Sequence, residues 1–273
     1  MLDVLSFVNA EKAKIKQHVE LLTKQIRQPR MAIITDSQNF GANQSYIKSK
    51  TSFAMDVGVA CDVIVLSKED EFPDISDYDG VIIQYPFFDY SFNTFRLLVS
   101  ATIPPNKDID GLGNDAVYKP CTPLGIIMYI DHLRKMEILK QDIVVDIIGC
   151  GGLVGKPLAE LLLRDPRCTV CVTRSSTNEW VSDNFMASAD VIVCATPTPN
   201  LIKWTSKSKV YIDCGTALVD GKLLGNVHRD CYGEDELITP VPNGVGRLTV
   251  LSLFKNLLAA YYQNGSCGTH ATM

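Results

Sequence analysis

Short apolar runs of strand character alternate with helix-like segments along this chain, and that alternation narrows its possible folds more than any other feature. Strands that alternate with helices form parallel sheets, because a parallel pair needs a long crossover and a helix supplies it. Asn9 to about Gln28 reads as an amphipathic helix, with Ile15, Val19, Leu22 and Ile26 spaced by four, three and four residues. Met31 to Thr35, Asp62 to Leu66 and Gly80 to Gln84 read as strands, and Pro86 stops the last one or places it at an edge. A polar loop through Gly41 and Asn43 leads to a helix over about Gln44 to Val57, closed near Gly58. The pattern restarts after Cys121-Thr122-Pro123. A helix over Pro123 to Glu137 is followed by a strand (Ile143 to Ile148), a glycine-rich turn and a helix (Lys156 to Leu163). Strands follow at Thr169 to Thr173, Val191 to Ala195 and Val210 to Asp213. A last helix covers about Thr249 to Tyr262, and the tail from Asn264 to Met273 reads as disordered. At 273 residues the chain has room for two such α/β units.

Composition excludes several classes. The net charge is −5 with both signs spread along the chain, so no clustered basic face for nucleic acid is present. No window of about 18 apolar residues suggests a membrane span, and Met1 to Asn9 lacks the pattern of a signal peptide. A soluble, cytoplasmic protein is expected. Nine cysteines, an odd count at irregular spacing, fit reduced thiols. Cys168 and Cys171 form a single C-x-x-C inside a strand-like run with no second pair, which fits core thiols, with metal ligation or a redox pair as the alternative. No metal is expected.

Gly149-Cys150-Gly151-Gly152-Leu153-Val154-Gly155 follows a strand and opens a helix. In that context glycines let the backbone turn sharply and approach a pyrophosphate held at the helix N-terminus. The spacing of Gly149, Gly151 and Gly155 departs from the usual dinucleotide fingerprint, and a tight turn without ligand is the alternative. At the end of the next strand, Thr173-Arg174-Ser175-Ser176-Thr177 has no carboxylate until Glu179. A carboxylate there suits the ribose of NAD, whereas Arg174 and Ser175 suit a 2′-phosphate. This points to NADP, with NAD possible and with Arg174 as a solvated loop cation the other reading.

Tyr46 and Lys50 stand four apart on a helix, a pairing that also decorates many exposed helices. Gln84 ends a strand, and the carboxyl ends of strands face the ligand crevice in an open α/β sheet. Lys107-Asp108-Ile109-Asp110-Gly111 is a charged loop ahead of the domain junction. Taken in order, these segments resemble the bifunctional methylenetetrahydrofolate dehydrogenase/methenyltetrahydrofolate cyclohydrolase family. Tyr46 to Lys50 resembles its Y-[VI]-x-x-K segment, Val81 to Pro86 its V-Q-L-P strand end, Lys107 to Gly111 its K-D-V-D-G loop, and Pro120 to Gly125 its P-C-T-P-x-G. Gly149 to Pro157 is similar to G-R-S-x-x-V-G-x-P, and Val219 to Val227 with Thr239 to Gly246 follows the family's ending.

The resemblance implies two α/β domains with a cleft between them. One, residues 1–120 with 248–273, binds folate and carries the catalytic groups; the other, 121–247, is a Rossmann-like dinucleotide-binding domain. It implies a homodimer that interconverts methylene-, methenyl- and 10-formyltetrahydrofolate with NADP, a one-carbon activity that serves purine biosynthesis. Lys50 would move the proton in the cyclohydrolase step, a role that needs a neutral amine and is favoured by burial or a nearby cation. Gln84 would orient Lys50, Tyr46 would lie beside the pterin, and Asp110 would accept two hydrogen bonds from its aminopyrimidine edge. Gly244 and Gly246 would let the backbone approach folate and nicotinamide. Gly149, Cys150, Gly151, Gly152, Val154, Gly155, Arg174, Ser175, Thr196 and Pro197 would hold the cofactor. Several residues depart from the family pattern. Cys150 and Gly151 replace Arg and Ser, Pro197 stands at a usual Gly, Asn43 at a usual Ser, and Asn243 and Arg247 alter G-G-V-G-P. Asp146 interrupts an apolar strand with no partner legible in the sequence. A catalytically silent or monofunctional folate- or nucleotide-binding relative is one alternative. A shikimate-type dehydrogenase is another, and gives no reason for Tyr46, Lys50, Gln84 and Asp110 to occur together.

Overall fold

Helix α1 (Val4–Gln25) opens the chain. It starts earlier than the apolar spacing suggests, because Val4 and Val8 extend the buried stripe of Ile15, Val19 and Leu22. Ile26 lies past its end and is exposed, since the chain must become extended ahead of Pro29. Strand β1 (Arg30–Asp36) follows, buried from Met31 to Asp36. In this computed structural model the described residues are 1–266 without Lys207, Thr216, Asp220, Gly221, Glu234 and Asp235.

Helix α2 (Phe40–Val57) starts within the expected polar loop, so Gly41 and Asn43 are helical. The Asp36 carboxylate causes this by accepting the backbone N–H groups of Gln38 and Asn39 and turning the chain at once. Gly58 ends the helix in the left-handed region at φ 82°, a position that favours glycine. Strands β2 (Ala60–Leu66) and β3 (Gly80–Ile83) pair in parallel on either side of β1, in the order β2-β1-β3. Helix α3 (Phe92–Thr102) escaped the sequence reading. It is capped by Ser91, whose hydroxyl accepts from the Thr94 N–H, and it buries Phe95 and Val99 against the sheet.

The pattern resumes with α4 (Cys121–Lys135), β4 (Ile143–Ile148), α5 (Gly155–Leu162), β5 (Cys168–Thr173), α6 (Glu179–Ser188), β6 (Val191–Cys194) and β7 (Val210–Asp213). An antiparallel pair, β8 (Ala217–Val219) and β9 (Lys222–Leu224), precedes β10 (Leu237–Ile238). The five-stranded sheet is parallel in the order β10-β7-β6-β4-β5. Cys168 and Cys171 lie on its edge strand and are half-buried, not core thiols, and Cys168 accepts from Arg134 at 3.2 Å. Asp146 does have a partner: the Thr173 hydroxyl donates to its Oδ1 at 3.1 Å, while its Oδ2 is buried without one. Burial raises its carboxyl above the ordinary range.

Helix α7 (Val245–Ser266) is longer at both ends than the sequence suggested. Asn264, read as tail, is helical and donates to the carbonyl of Asp79. The rest of that tail, and Asp220 with Gly221 of the Val219 to Val227 segment, lie outside the described residues. Two units make up the chain: Met1–Asn9 with Thr122–Thr249, and Ala10–Cys121 with Val250 onward. Residues 1–9 thus belong with the five-stranded sheet, where the Leu2 N–H donates to the Ile238 carbonyl. Among the described residues no helix is long and apolar enough to cross a membrane.

Candidate active site

In the sheet β2-β1-β3 the chain leaves β1 toward β2 and returns on the other side at β3. The crevice of such a sheet opens at the carboxyl ends of the strands where this reversal occurs, between β1 and β3. Gln84 directly follows β3, and its N–H donates to the carbonyl of Ile34 in β1. Helix α2 leaves β1 at the same end and presents Asn43, Ile47 and Lys50 on its buried side. Lys50 is only 6% exposed, an unusual state for a lysine that requires a partner. Its Nζ donates to Gln84 Oε1 at 2.8 Å, and Asp110 Oδ2 lies 4.0 Å away. The charged neighbour is therefore a carboxylate, not the cation that sequence reasoning allowed. Gln84 Nε2 in turn donates to the Tyr85 carbonyl at 2.8 Å, which fixes the amide with its oxygen toward Lys50.

Tyr46 is one turn before Lys50 yet exposed, so the shared helix face divides into a buried amine and a solvent-facing ring. Asp110 sits in a loop that wraps around Asp108. The buried Asp108 carboxylate accepts the N–H of Gly111 at 3.0 Å and of Gly113 at 2.8 Å. Burial, with Asp110 adding to it, pushes the Asp108 carboxyl up to about 6, and the backbone N–H groups of Gly113, Gly111 and Leu112 oppose the rise. Asn256 of α7 donates to the carbonyls of Ile109 and Lys119, holding both sides of the same loop. Asp108 and Asn256 were not singled out from the sequence. Asp108 stood inside the K-D-I-D-G string, but nothing in a string shows that a carboxylate points into its own loop.

In the other unit the same rule selects the carboxyl ends of β4 and β6, where the chain switches sides of the sheet. Gly149 has φ 95° there, and a Cβ on it would strike the carbonyl oxygen of Ala195. A Cβ on Gly155 would overlap the carbonyl of Gly149, so α5 can start this close to the strand only with glycine. Gly151 and Gly152 face open space, and Gly152 is also left-handed at φ 77°. Cys150 is half-buried, and Val154 precedes the first turn of α5. This tight loop, open on the outside and leading to a helix N-terminus, fits a dinucleotide pyrophosphate. Arg174 and Ser175 are exposed past β5, in a turn closed by the Arg174 N–H to Thr177 Oγ1 at 2.9 Å. Thr196 and Pro197 follow β6, and Thr196 lies beside Gly149. Gly244 packs under the Pro240 carbonyl, where no side chain fits, while Gly246 borders open space.

Residues 120–265 match the family described as tetrahydrofolate dehydrogenase/cyclohydrolase, NAD(P)-binding domain. A bifunctional protein FolD of Sulfurihydrogenibium sp. (strain YO3AOP1) is 32% identical, over 96% of this chain and 97% of that protein. The chain belongs to the tetrahydrofolate dehydrogenase/cyclohydrolase family. A FolD relative from Hydrogenobaculum sp. (strain Y04AAS1) is likewise 32% identical, over 96% of this chain and 99% of its own. Among solved structures, the bifunctional FolD methylenetetrahydrofolate dehydrogenase/cyclohydrolase from Campylobacter jejuni superposes with a TM-score of 0.81 at 25% identity, covering 96% of this chain and 98% of that one. Both units are thus units of this family, and the five-stranded one is its NAD(P)-binding domain.

Proposed function

We propose that this protein oxidises methylenetetrahydrofolate with NADP and hydrolyses methenyltetrahydrofolate to the 10-formyl form. The observation that carries the reading is the buried Lys50, bonded to Gln84 at 2.8 Å and 4.0 Å from Asp110. A buried amine with one fixed amide partner is positioned to move a proton as water adds to the methenyl carbon and the ring opens. Gln84 holds that amine, with its own amide anchored on Tyr85. Asp110, on a loop held by Asp108, takes the aminopyrimidine edge of the pterin, and the exposed Tyr46 ring covers the pterin face. The cofactor, when bound, supplies the hydride acceptor, so the dehydrogenase step needs juxtaposed carbons and no protein acid or base. Gly149, Cys150, Gly151, Gly152, Val154 and Gly155 hold its pyrophosphate, Arg174 and Ser175 its 2′-phosphate, Thr196 and Pro197 border the ring side, and Gly244 and Gly246 admit both ligands.

An absorbance assay of methylenetetrahydrofolate oxidation with NADP and with NAD, alongside methenyltetrahydrofolate hydrolysis without cofactor, tests the reading. Both activities are expected, with NADP preferred; absence of both would leave only a binding role. A cytoplasmic homodimer is part of the same reading. Sedimentation should give about twice the 30.1 kDa chain mass, and a monomer at micromolar concentration would remove the dimer.

A further inference from the structure

Asn226 is 1% exposed and lies past β9, and it is not among the residues assigned to substrate or cofactor. Its side-chain amide nonetheless makes four hydrogen bonds. Nδ2 donates to the Thr196 carbonyl at 3.0 Å, to Thr196 Oγ1 at 2.9 Å and to the Thr198 carbonyl at 2.6 Å. Its Oδ1 accepts the Thr196 N–H at 3.4 Å. One amide therefore gathers both ends of the Thr196-Pro197-Thr198 loop. That loop lies against the glycine-rich turn, because a Cβ on Gly149 would meet Ala195 O and Thr196 Cγ2.

Asn226 is itself held from behind. The buried Asp213 carboxylate at the end of β7 accepts the N–H groups of Gly215, Asn226 and Val227 at 2.8–2.9 Å. A Cβ on Gly215 would strike Asn226, and one on Gly225 would strike Asp213, so the chain closes on both sides of the pair. The result is a relay from β7 through Asp213 and Asn226 to the loop after β6, on the rim where the nucleotide switch point opens. A loop of threonines and a proline has little apolar surface to hold it, so these bonds set its position.

We propose that Asn226 is a positioning residue for the dinucleotide cofactor, clamping Thr196-Pro197-Thr198 against the Gly149 turn so that the loop is preformed when cofactor arrives. This rests on the reading that those two loops hold NADP. Asn226→Asp keeps the shape and the acceptor but replaces the donor with an oxygen facing the carbonyls of Thr196 and Thr198. Asn226→Ala removes the donor without adding charge, and serves if the first variant does not fold. The readouts are NADP affinity by titration calorimetry, the NADP KM and kcat of methylenetetrahydrofolate oxidation, cofactor-free methenyltetrahydrofolate hydrolysis, and the melting temperature.

The expected result is a rise in Kd and KM for NADP of about tenfold or more, the scale of a lost buried hydrogen-bond donor. The kcat at saturating NADP and the hydrolysis rate should stay at parent values. An unchanged Kd, an equal fall in hydrolysis, or failure of both variants to fold would overturn the proposal and leave Asn226 as a fold determinant. A parent protein that oxidises no substrate and binds no NADP would instead remove the cofactor reading itself.

Discussion

Lys50 and Gln84 form one hydrogen-bonded unit, so their substitutions should not act independently. Lys50→Met keeps the apolar stem but can neither donate nor accept a proton, and methenyltetrahydrofolate hydrolysis should fall by about 10²-fold or more. Gln84→Ala removes the acceptor 2.8 Å from Nζ and leaves a buried donor without its partner. That costs about 1–3 kcal/mol, or about 5- to 160-fold in rate if the whole penalty falls on the transition state. The double variant should hydrolyse no more slowly than Lys50→Met alone, because Gln84 acts only through the amine. Hydrolysis is followed by loss of methenyl absorbance above the spontaneous background, and NADP-dependent oxidation is followed in parallel. Oxidation should survive better in all three variants, since hydride transfer needs no proton from Lys50. A Lys50→Met protein hydrolysing at the parent rate would refute the mechanism. An undiminished further loss from Gln84→Ala in the Lys50→Met background would refute the coupling.

Asp108, raised to about 6 from 3.8, should protonate as pH falls through 6 and accept less strongly from Gly111 and Gly113. The Asp110 loop then loosens, so the folate KM should climb between pH 7 and 5, and Asp108→Asn should raise the KM at pH 7 and flatten the profile. Because the folded value lies above the unfolded one, folding disfavours the ionised form. Its contribution to stability is present at low pH and is lost, by about 3 kcal/mol, as pH rises from about 4 through about 6. Arg174→Ala should raise the NADP KM and leave NAD kinetics nearly alone, and equal effects on both would remove Arg174 from the phosphate role. Asp146→Val deletes a buried carboxyl with one unpartnered oxygen and should raise stability at pH 7 by about 1–3 kcal/mol in denaturant titrations. Its carboxyl is also raised by burial, so the gain should be smaller near pH 4, and a loss of stability at pH 7 would show that the Thr173 bond outweighs the burial.

Local chemistry was enough to read the parallel α/β plan, the strand Ile143–Ile148 and the turn at Gly149. Apolar period and glycine position depend on a few neighbouring residues, and those residues are printed side by side. The boundaries of α1 and α2 were set by burial of Val4 and Val8 and by the Asp36 turn. Helix α3 was missed because its sequence carries only a two-residue buried stripe, Phe95 and Val99, which gains meaning against the sheet. The site shows the same division. Lys50, Gln84 and Asp110 could be named from motif order, but their approach within 2.8 and 4.0 Å depends on a crossover that returns β3 beside β1. Asp108, Asn256 and Asn226 were invisible beforehand, because a hydrogen bond to a backbone N–H or carbonyl leaves no mark on residue type at the partner. Such supports form only when distant segments close on one another, and their positions follow from the folded path of the chain.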